Sequence, residues 1–373
     1  MKITILTPDF AGNSLARSYL LAKLLQTKHQ VKVVGPMFHE HIWPPLMNVN
    51  DVVFYPIKMA PSILCLLQKA NKIVQMCQGD VLYVSKPLAS SFGPGLMAKF
   101  KHKIPLILDI DDWEMAPFLM QGSILRFGRG LRYVNNPLSF FPTLGLNQLI
   151  KMADLITVSS RGLKHMYGGT IIPHVRKAVR IDNLHAKNAK SETVILFLGT
   201  PRLYKGIHDL IEAFKLVKGE NIVLRIIGID NKNRDNRSII SSSRSDNRIQ
   251  LQEMVPFGRL KSYIASADII VIPQRDTPVG RTQVPAKIFD AMAQGKAIIS
   301  TRISDIPEIL GDSGIIVEPN NVTELKNAID DLLRHPAKIK LLGKKAQRRC
   351  KMYYDFNTTS KKLNDLITSK FNV

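Results

Sequence analysis

Short apolar runs alternate along this chain with amphipathic segments of helix length. Lys2–Leu6 (KITIL), Gln30–Gly35 (QVKVVG), Asp80–Ser85 (DVLYVS), Ile104–Ile110 (IPLILDI) and Ala153–Ser160 (ADLITVSS) read as strands. Ser14–Gln26 (SLARSYLLAKLLQ) reads as a helix with Ser14 as its N-cap. The rhythm restarts after Ser191. Thr193–Gly199, Ile222–Gly228, Ala267–Pro273 and Lys296–Thr301 are strand-like, and Gly206–Val217 is helical. Continuous Val/Ile/Leu runs between helices indicate parallel strands buried on both faces. The expected fold is therefore α/β: two tandem Rossmann-like doubly wound domains, residues 1–178 and 179–356, facing across a cleft. The polar stretch Arg180–Glu192 is the expected join, and Asp230–Arg248 a solvated loop.

One region breaks the rhythm. Pro117–Met152 is rich in Phe and Leu and carries Arg126, Arg129 and Arg132 at three-residue spacing. A helix there has a basic face beside an apolar one. That pattern suits a membrane-surface helix, and equally a core helix with a solvated basic side. Ser62–Met76 repeats the pattern more weakly.

Composition sharpens this picture in three ways. The 373 residues suffice for two full cores. The 52 Lys and Arg against 30 Asp and Glu give a net charge of +22, a field that attracts nucleic acid, anionic lipid or phosphorylated small molecules. The three cysteines form no CxxC pair and the nine histidines no metal-ligand spacing, so neither a disulfide framework nor a metal centre is expected. The opening MKITILTPDF does not read as a signal peptide, and no run approaches the roughly 18 apolar residues of a membrane span. A cytoplasmic location is the expectation.

Open parallel sheets bind ligands beyond the carboxyl ends of their strands, so the residues just after each run are the candidates. These are Asp9 to Gly12, Lys86, Asp111 and Asp112, and the loop Gly199–Gly206 (GTPRLYKG). Arg202 and Lys205, in a loop leading to a helix start, can hold phosphate oxygens or simply lie in an exposed turn. Asp290 in Pro285–Thr301 (PAKIFDAMAQGKAIIST) poses a similar choice. Pro285 fits the first helical position, Gly295 the stop, and Ile288, Ala291 and Met292 the buried stripe. Asp290 lies off that stripe, either as an acceptor for two ribose hydroxyls or as a solvent-facing acid. Neither GxGxxG nor GxxxxGK[ST] occurs.

The stretch Pro285–Leu310 (PAKIFDAMAQGKAIISTRISDIPEIL) resembles the donor-binding signature of glycosyltransferase family 4 (glycosyl transferases group 1), retaining enzymes of GT-B fold. GTPRLYKG resembles that family's diphosphate loop. Ala153–Tyr167 and Ile171–Arg176 resemble the close of its first domain. Tyr353–Ile367 resembles the terminal helix that returns to that domain, which implies that residues 357–373 belong with 1–178.

The resemblance implies roles. Asp290 takes the place of the glutamate that holds the nucleotide ribose, and Lys205 that of the lysine on the donor diphosphate. Arg202 serves as the partner arginine, three residues before Lys205, while Thr200 stands where the commonest pattern places it. Thr282 falls where a glutamate contacts the donor sugar, and Lys287 is the lysine of the signature. Gly12 and Asn13 stand at the glycine loop that meets donor and acceptor. Asp111 and Asp112 lie near where many members place a histidine beside the reacting sugar, and Asp112 joins Arg202 and Lys205 as a catalytic candidate.

The implied activity is metal-independent, retaining transfer from a UDP- or GDP-linked sugar. The implied acceptor is a lipid-linked or membrane-proximal glycan, in surface polysaccharide assembly. No cofactor is expected. Partners are the nucleotide-sugar donor, the acceptor and an anionic membrane surface held through residues 117–152. A nucleotide-sugar epimerase of the same architecture would use Asp111 and Asp112 as acid and base. A nucleic-acid-binding protein would use the charge but lacks a reading module.

Overall fold

The computed structural model describes residues 1–177, 192–230 and 236–371. The chain divides into two compact units: Met1–His174 together with the C-terminal segment from Phe356, and Val175–Asp355. The expected boundary at 178/179 and most of the expected join, Arg180–Glu192, lie outside the described residues.

The first unit is built on seven parallel strands: β1 (Lys2–Leu6), β2 (Gln30–Met37), β3 (Val53–Lys58), β4 (Val81–Ser85), β5 (Leu106–Ile110), β6 (Leu155–Val158) and β7 (Thr170–Ile171). Their spatial order is β3-β2-β1-β4-β5-β6-β7. Register sets Ile3 beside Val31 and Val81, so β1 is a central strand. Burial explains the apolar runs: β4 and β5 are buried along their whole length, Asp109 included.

Helix Leu15–Leu25 is almost wholly buried, because the C-terminal helix Phe356–Phe371 covers its outer side. Ser360 Oγ and Asn364 Nδ2 donate to the Leu24 carbonyl at 2.7 and 3.2 Å. The Arg17 guanidinium on this helix forks onto Asp109 of β5 at 2.8 and 2.9 Å and donates to the Ile172 carbonyl at 2.7 Å. Ser14 stands at the N-cap position, but its hydroxyl makes no cap bond and instead donates to the Asp9 carbonyl at 3.4 Å.

The second unit holds six parallel strands: β8 (Thr193–Leu198), β9 (Ile222–Ile229), β10 (Ile249–Glu253), β11 (Ile269–Ile272), β12 (Ala297–Thr301) and β13 (Ile315–Val317). Their order is β10-β9-β8-β11-β12-β13. Relative to the first strand of each unit, both sheets begin in the doubly wound order 3-2-1-4-5-6, which puts a ligand crevice where the order reverses. Those points are the carboxyl ends of β1 and β4 in one sheet, and of β8 and β11 in the other.

Two expectations change here. Asp230–Arg248 is not wholly loop: Arg237–Ser243 is a helix whose Ile239 is buried in the core with Ile211 and Ile229. Residues 231–235 within it lie outside the described residues. Pro117–Met152 resolves into helices Ser123–Arg132 and Phe140–Gln148 with a short turn of helix before them, Ala116–Leu119. Ser123–Arg132 buries only Gly130 and leaves Ile124 89 % exposed.

Candidate functional site

In the second unit the loop after β8 runs through a 3-10 turn, Leu203–Lys205, into helix Ile207–Leu216. Gly206 makes that turn possible. Its φ is +66°, and a Cβ there would lie 1.8 Å from the Pro273 carbonyl oxygen. The loops after β8 and β11 are thus tied at close range. Arg275 N–H donates to the Tyr204 carbonyl at 2.8 Å. Its guanidinium forks onto Asp209, at 2.7 and 2.5 Å. Gln274, buried at the end of β11, donates to the Gly280 and Gln283 carbonyls and ties down the next loop.

Thr200, Arg202 and Lys205 come together on this loop. Lys205 Nζ donates to the Thr200 carbonyl at 2.9 Å, so its ammonium lies over the strand end. Arg202 is exposed. Helix Pro278–Thr282 packs against the 3-10 turn. Thr282, the last residue of that helix, is buried, and its hydroxyl donates to the carbonyls of Pro278 and Val279.

The following helix begins at Lys287 rather than Pro285, with Ala286 as its N-cap. Asp290 therefore lies in its first turn, where a carboxylate suits the dipole, and not mid-helix. The helix closes as expected at Gly295. Its φ is +63°, and the N–H groups of Gly295 and Lys296 bond the Met292 and Ala291 carbonyls at 3.0 and 3.1 Å.

Asp290 has a partner that no local spacing announces. Arg176 forks onto it, Nε to Oδ1 at 2.5 Å and Nη2 to Oδ2 at 3.3 Å. Burial lowers the Lys287 pKa below the ordinary lysine value, with Asp290 opposing and Arg176 adding to the decrease.

The first unit carries a second constellation at its own switch point. Lys86, after β4, is buried with φ +67°. Its Nζ lies 3.1 Å from Asp111, 2.7 Å from Asp112 and 2.5 Å from Glu114. These three carboxylates converge closely enough to hold a cation, and the Lys86 ammonium takes that place. Burial pulls Lys86 down, but the three acids outweigh it and hold its pKa well above the ordinary value. Burial pushes Asp111 up to about 7, against the field of Lys86. Glu114 is raised for the same reason.

Beside this cluster is a cavity of about 290 Å³, lined by Asp9, Gly12, Asn13, Lys86, Glu114 and Thr143 among others. Gly12 and Asn13 thus meet the Lys86 cluster at one cavity, whereas Asp112 does not line it and joins the cluster through Lys86. Lys86 was among the strand-end candidates of the sequence, whereas Arg176, Glu114 and Thr143 were not singled out as site residues.

Residues 192–335 match the family model described as Glycosyl transferases group 1. They belong to the glycosyl transferases group 1 family. This group 1 domain contains β8 to β13, the Lys205 loop and Asp290. A protein of Salmonella typhimurium, named for colanic acid biosynthesis as the glycosyltransferase WcaL, is 29% identical over 135 residues, which is 35% of this chain and 33% of that one. The chain thus spans about a third of that relative's length. N-acetyl-alpha-D-glucosaminyl L-malate synthase of Bacillus anthracis is 20% identical over 361 residues, 91% of this chain and 89% of that protein. The structure of HepE from Anabaena, solved with UDP-glucose, superposes with a TM-score of 0.76 at 15% identity, covering 99% of this chain and 100% of that one. That likeness establishes the fold: two parallel-sheet α/β units of GT-B type.

Proposed function

We propose that this chain transfers a sugar from a UDP- or GDP-linked donor to an acceptor glycan, with retention of configuration and without a metal. The observation that carries the reading lies inside the group 1 domain. There the Lys205 loop and an oriented carboxylate, Asp290, stand on the carboxyl side of one parallel sheet. HepE, of like fold, was solved with UDP-glucose, which supports a nucleotide-sugar donor.

The chemistry follows from these residues. A carboxylate offers about four acceptor sites. The Arg176 fork takes two, leaving Asp290 able to receive two ribose hydroxyls in a fixed orientation. Lys205 exchanges the Thr200 carbonyl for the donor diphosphate, and Arg202 adds a second cation. Both oppose the negative charge that grows on the departing phosphates, stabilisation aimed at the transition state. Thr282 and Lys287 flank the donor, and the first unit holds the acceptor through Gly12 and Asn13, with Asp112 acting behind Lys86.

The acceptor is a lipid-linked or membrane-proximal glycan, in polysaccharide assembly as the name of WcaL suggests. Exposed Ile124, Leu125, Phe127 and Leu131 stand beside Arg126, Arg129 and Arg132 on one helix. Asn135 joins this patch to the helix Ile63–Met76, accepting from Ile63 N–H at 2.6 Å; that helix exposes Leu64 and Leu67. Apolar side chains flanked by arginines fit an anionic bilayer surface, so the protein works as a peripheral protein on the cytoplasmic face.

The test is acceptor-dependent release of UDP or GDP from a panel of nucleotide sugars, in EDTA, with product configuration read by NMR. An axial donor should give an axial product. Inversion, or loss of turnover in EDTA, contradicts the mechanism. Turnover without any acceptor points to an epimerase.

A further inference from the structure

We infer that the cavity of the first unit binds one uncharged sugar ring of the acceptor and rejects anionic sugars. Calling this ring the acceptor rests on the function proposed above; the chemistry of the cavity does not.

Size comes first. At about 30 Å³ per water in the liquid, 290 Å³ holds on the order of ten waters, the space of one hydroxylated ring rather than a chain of them. The walls have two characters. Leu88, Pro117, Phe118 and Leu138 supply an apolar side that suits the face of a pyranose. Asp9, Glu114 and Thr143 supply the polar side.

Two of those polar groups are held ready for a ligand. Asp9 is buried, and its Oδ1 accepts from Ala11 N–H at 2.9 Å and Phe38 N–H at 3.2 Å. Its position is thereby fixed, and Oδ2 is directed to the Gly12 side of the cavity, where a Cβ on Gly12 would lie 3.1 Å from it. Thr143 is fully buried, yet its hydroxyl has no hydrogen-bond partner among the described residues. Buried hydroxyls are ordinarily satisfied, so an unmet one on a cavity wall points to a group that enters the cavity. Sugar hydroxyls both donate and accept, and so can serve Asp9 and Thr143 together.

Charge sets the selectivity. In a chain of net charge +22, this site is acidic. The single ammonium of Lys86 is already shared among Asp111, Asp112 and Glu114, and Asp9 adds another carboxylate. A carboxylate or phosphate placed there meets like charges in a partly desolvated space. A neutral sugar does not.

The experiment titrates the full chain with methyl hexopyranosides and the matching methyl hexuronosides, by saturation-transfer NMR, with UDP and UDP-glucose as separate arms. Neutral glycosides should bind at least tenfold more tightly than uronosides. Thr143→Val should weaken glycoside binding about tenfold while leaving the melting temperature unchanged or raised, because it removes a hydroxyl without a protein partner. A merely structural threonine would lower the melting temperature and spare binding. Glu114→Gln should narrow the neutral-to-uronoside ratio.

Equal affinity for uronosides overturns the inference, as does glycoside binding indifferent to Thr143→Val. UDP binding with no glycoside binding also overturns it while the donor reading stands. Glycoside binding without UDP binding does the reverse. Displacement of the glycoside by UDP-glucose but not by UDP assigns the cavity to the donor sugar and overturns the acceptor assignment.

Discussion

Replacing Lys86 by Met removes the ammonium from the acidic cluster while keeping an unbranched side chain at the same φ of +67°. Backbone strain is then similar in both proteins, and the difference reports on charge. Lys86 is 7 % exposed, and its three partners are 9, 32 and 17 % exposed. Breaking a buried ion pair by removing one partner costs about 3–5 kcal/mol. The partial exposure of Asp112 and Glu114 argues for the low end, about 3 kcal/mol at pH 8.

The sign of the pH dependence is fixed. Without the cation, the raised folded pKa values of Asp111 and Glu114 rise further, while in the unfolded chain these carboxyls stay near about 4. Between about pH 4 and the raised values, the folded variant binds more protons than the unfolded one. Its stability therefore falls as pH rises, by up to about 1.4 kcal/mol per pH unit for each excess proton. Wild type shares part of this trend through Asp111, so the difference between the two proteins is the readout. That difference should shrink to about 1 kcal/mol at pH 5, where protonation relieves the repulsion.

Both tryptophans of the chain, Trp43 and Trp113, lie in the first unit. Urea unfolding followed by tryptophan fluorescence at pH 5 and pH 8 therefore reads the affected unit selectively. A penalty equal at both pH values, or larger at pH 5, refutes the cluster as described.

Three further outcomes are expected. In a double-mutant cycle, Asp290→Asn and Arg176→Met should show a coupling of about 1–2 kcal/mol, since the pair is charge-assisted but part-exposed; no coupling in chemical denaturation would remove the Arg176 fork. Gly206→Ala should destabilise the second unit by about 3 kcal/mol or more, because the new Cβ overlaps the Pro273 carbonyl at a positive φ; an unchanged melting curve by circular dichroism would contradict the loop geometry. Changing Arg126, Arg129 and Arg132 together to Glu should abolish co-sedimentation with anionic vesicles, at about 1 kcal/mol for each charge lost; sedimentation equal to wild type would rule out this patch as the membrane contact.

Much of the fold could be read from apolar patterning because the central strands are buried on both faces. β4 and β5 are buried along their whole length, and Asp109, paired with Arg17, is the one charged residue in them. The strands that escaped notice are at or near sheet edges. β3 carries Pro56 and exposes most of its residues, β10 contains Gln250, Gln252 and Glu253, β7 is two residues long, and the apolar β13 is only three. Edge strands lack the burial that writes a hydrophobic run.

The candidate site divides along similar lines. Lys205 with Thr200, and Lys287 with Asp290, are near neighbours in sequence, so their spacing could be recognised. Lys86 with Glu114, Asp209 with Arg275, and Arg176 with Asp290 are joined only by the winding of the sheets. Asp290 shows the limit well. The sequence posed an acid without a local purpose, and the partner that orients it lies 114 residues away. Thr143 left no sequence signal at all, since an unsatisfied hydroxyl exists only once its neighbours are in place.

The central claim is that the group 1 domain holds a nucleoside diphosphate on Lys205 and Asp290. Calorimetric titration of UDP, GDP and ADP into wild type, Lys205→Ala and Asp290→Ala tests it most directly. One base should bind, and each substitution should weaken it tenfold or more, about 1.4 kcal/mol. If none of the three nucleotides binds, or if one binds equally well to both variants, the donor site is not where this account places it.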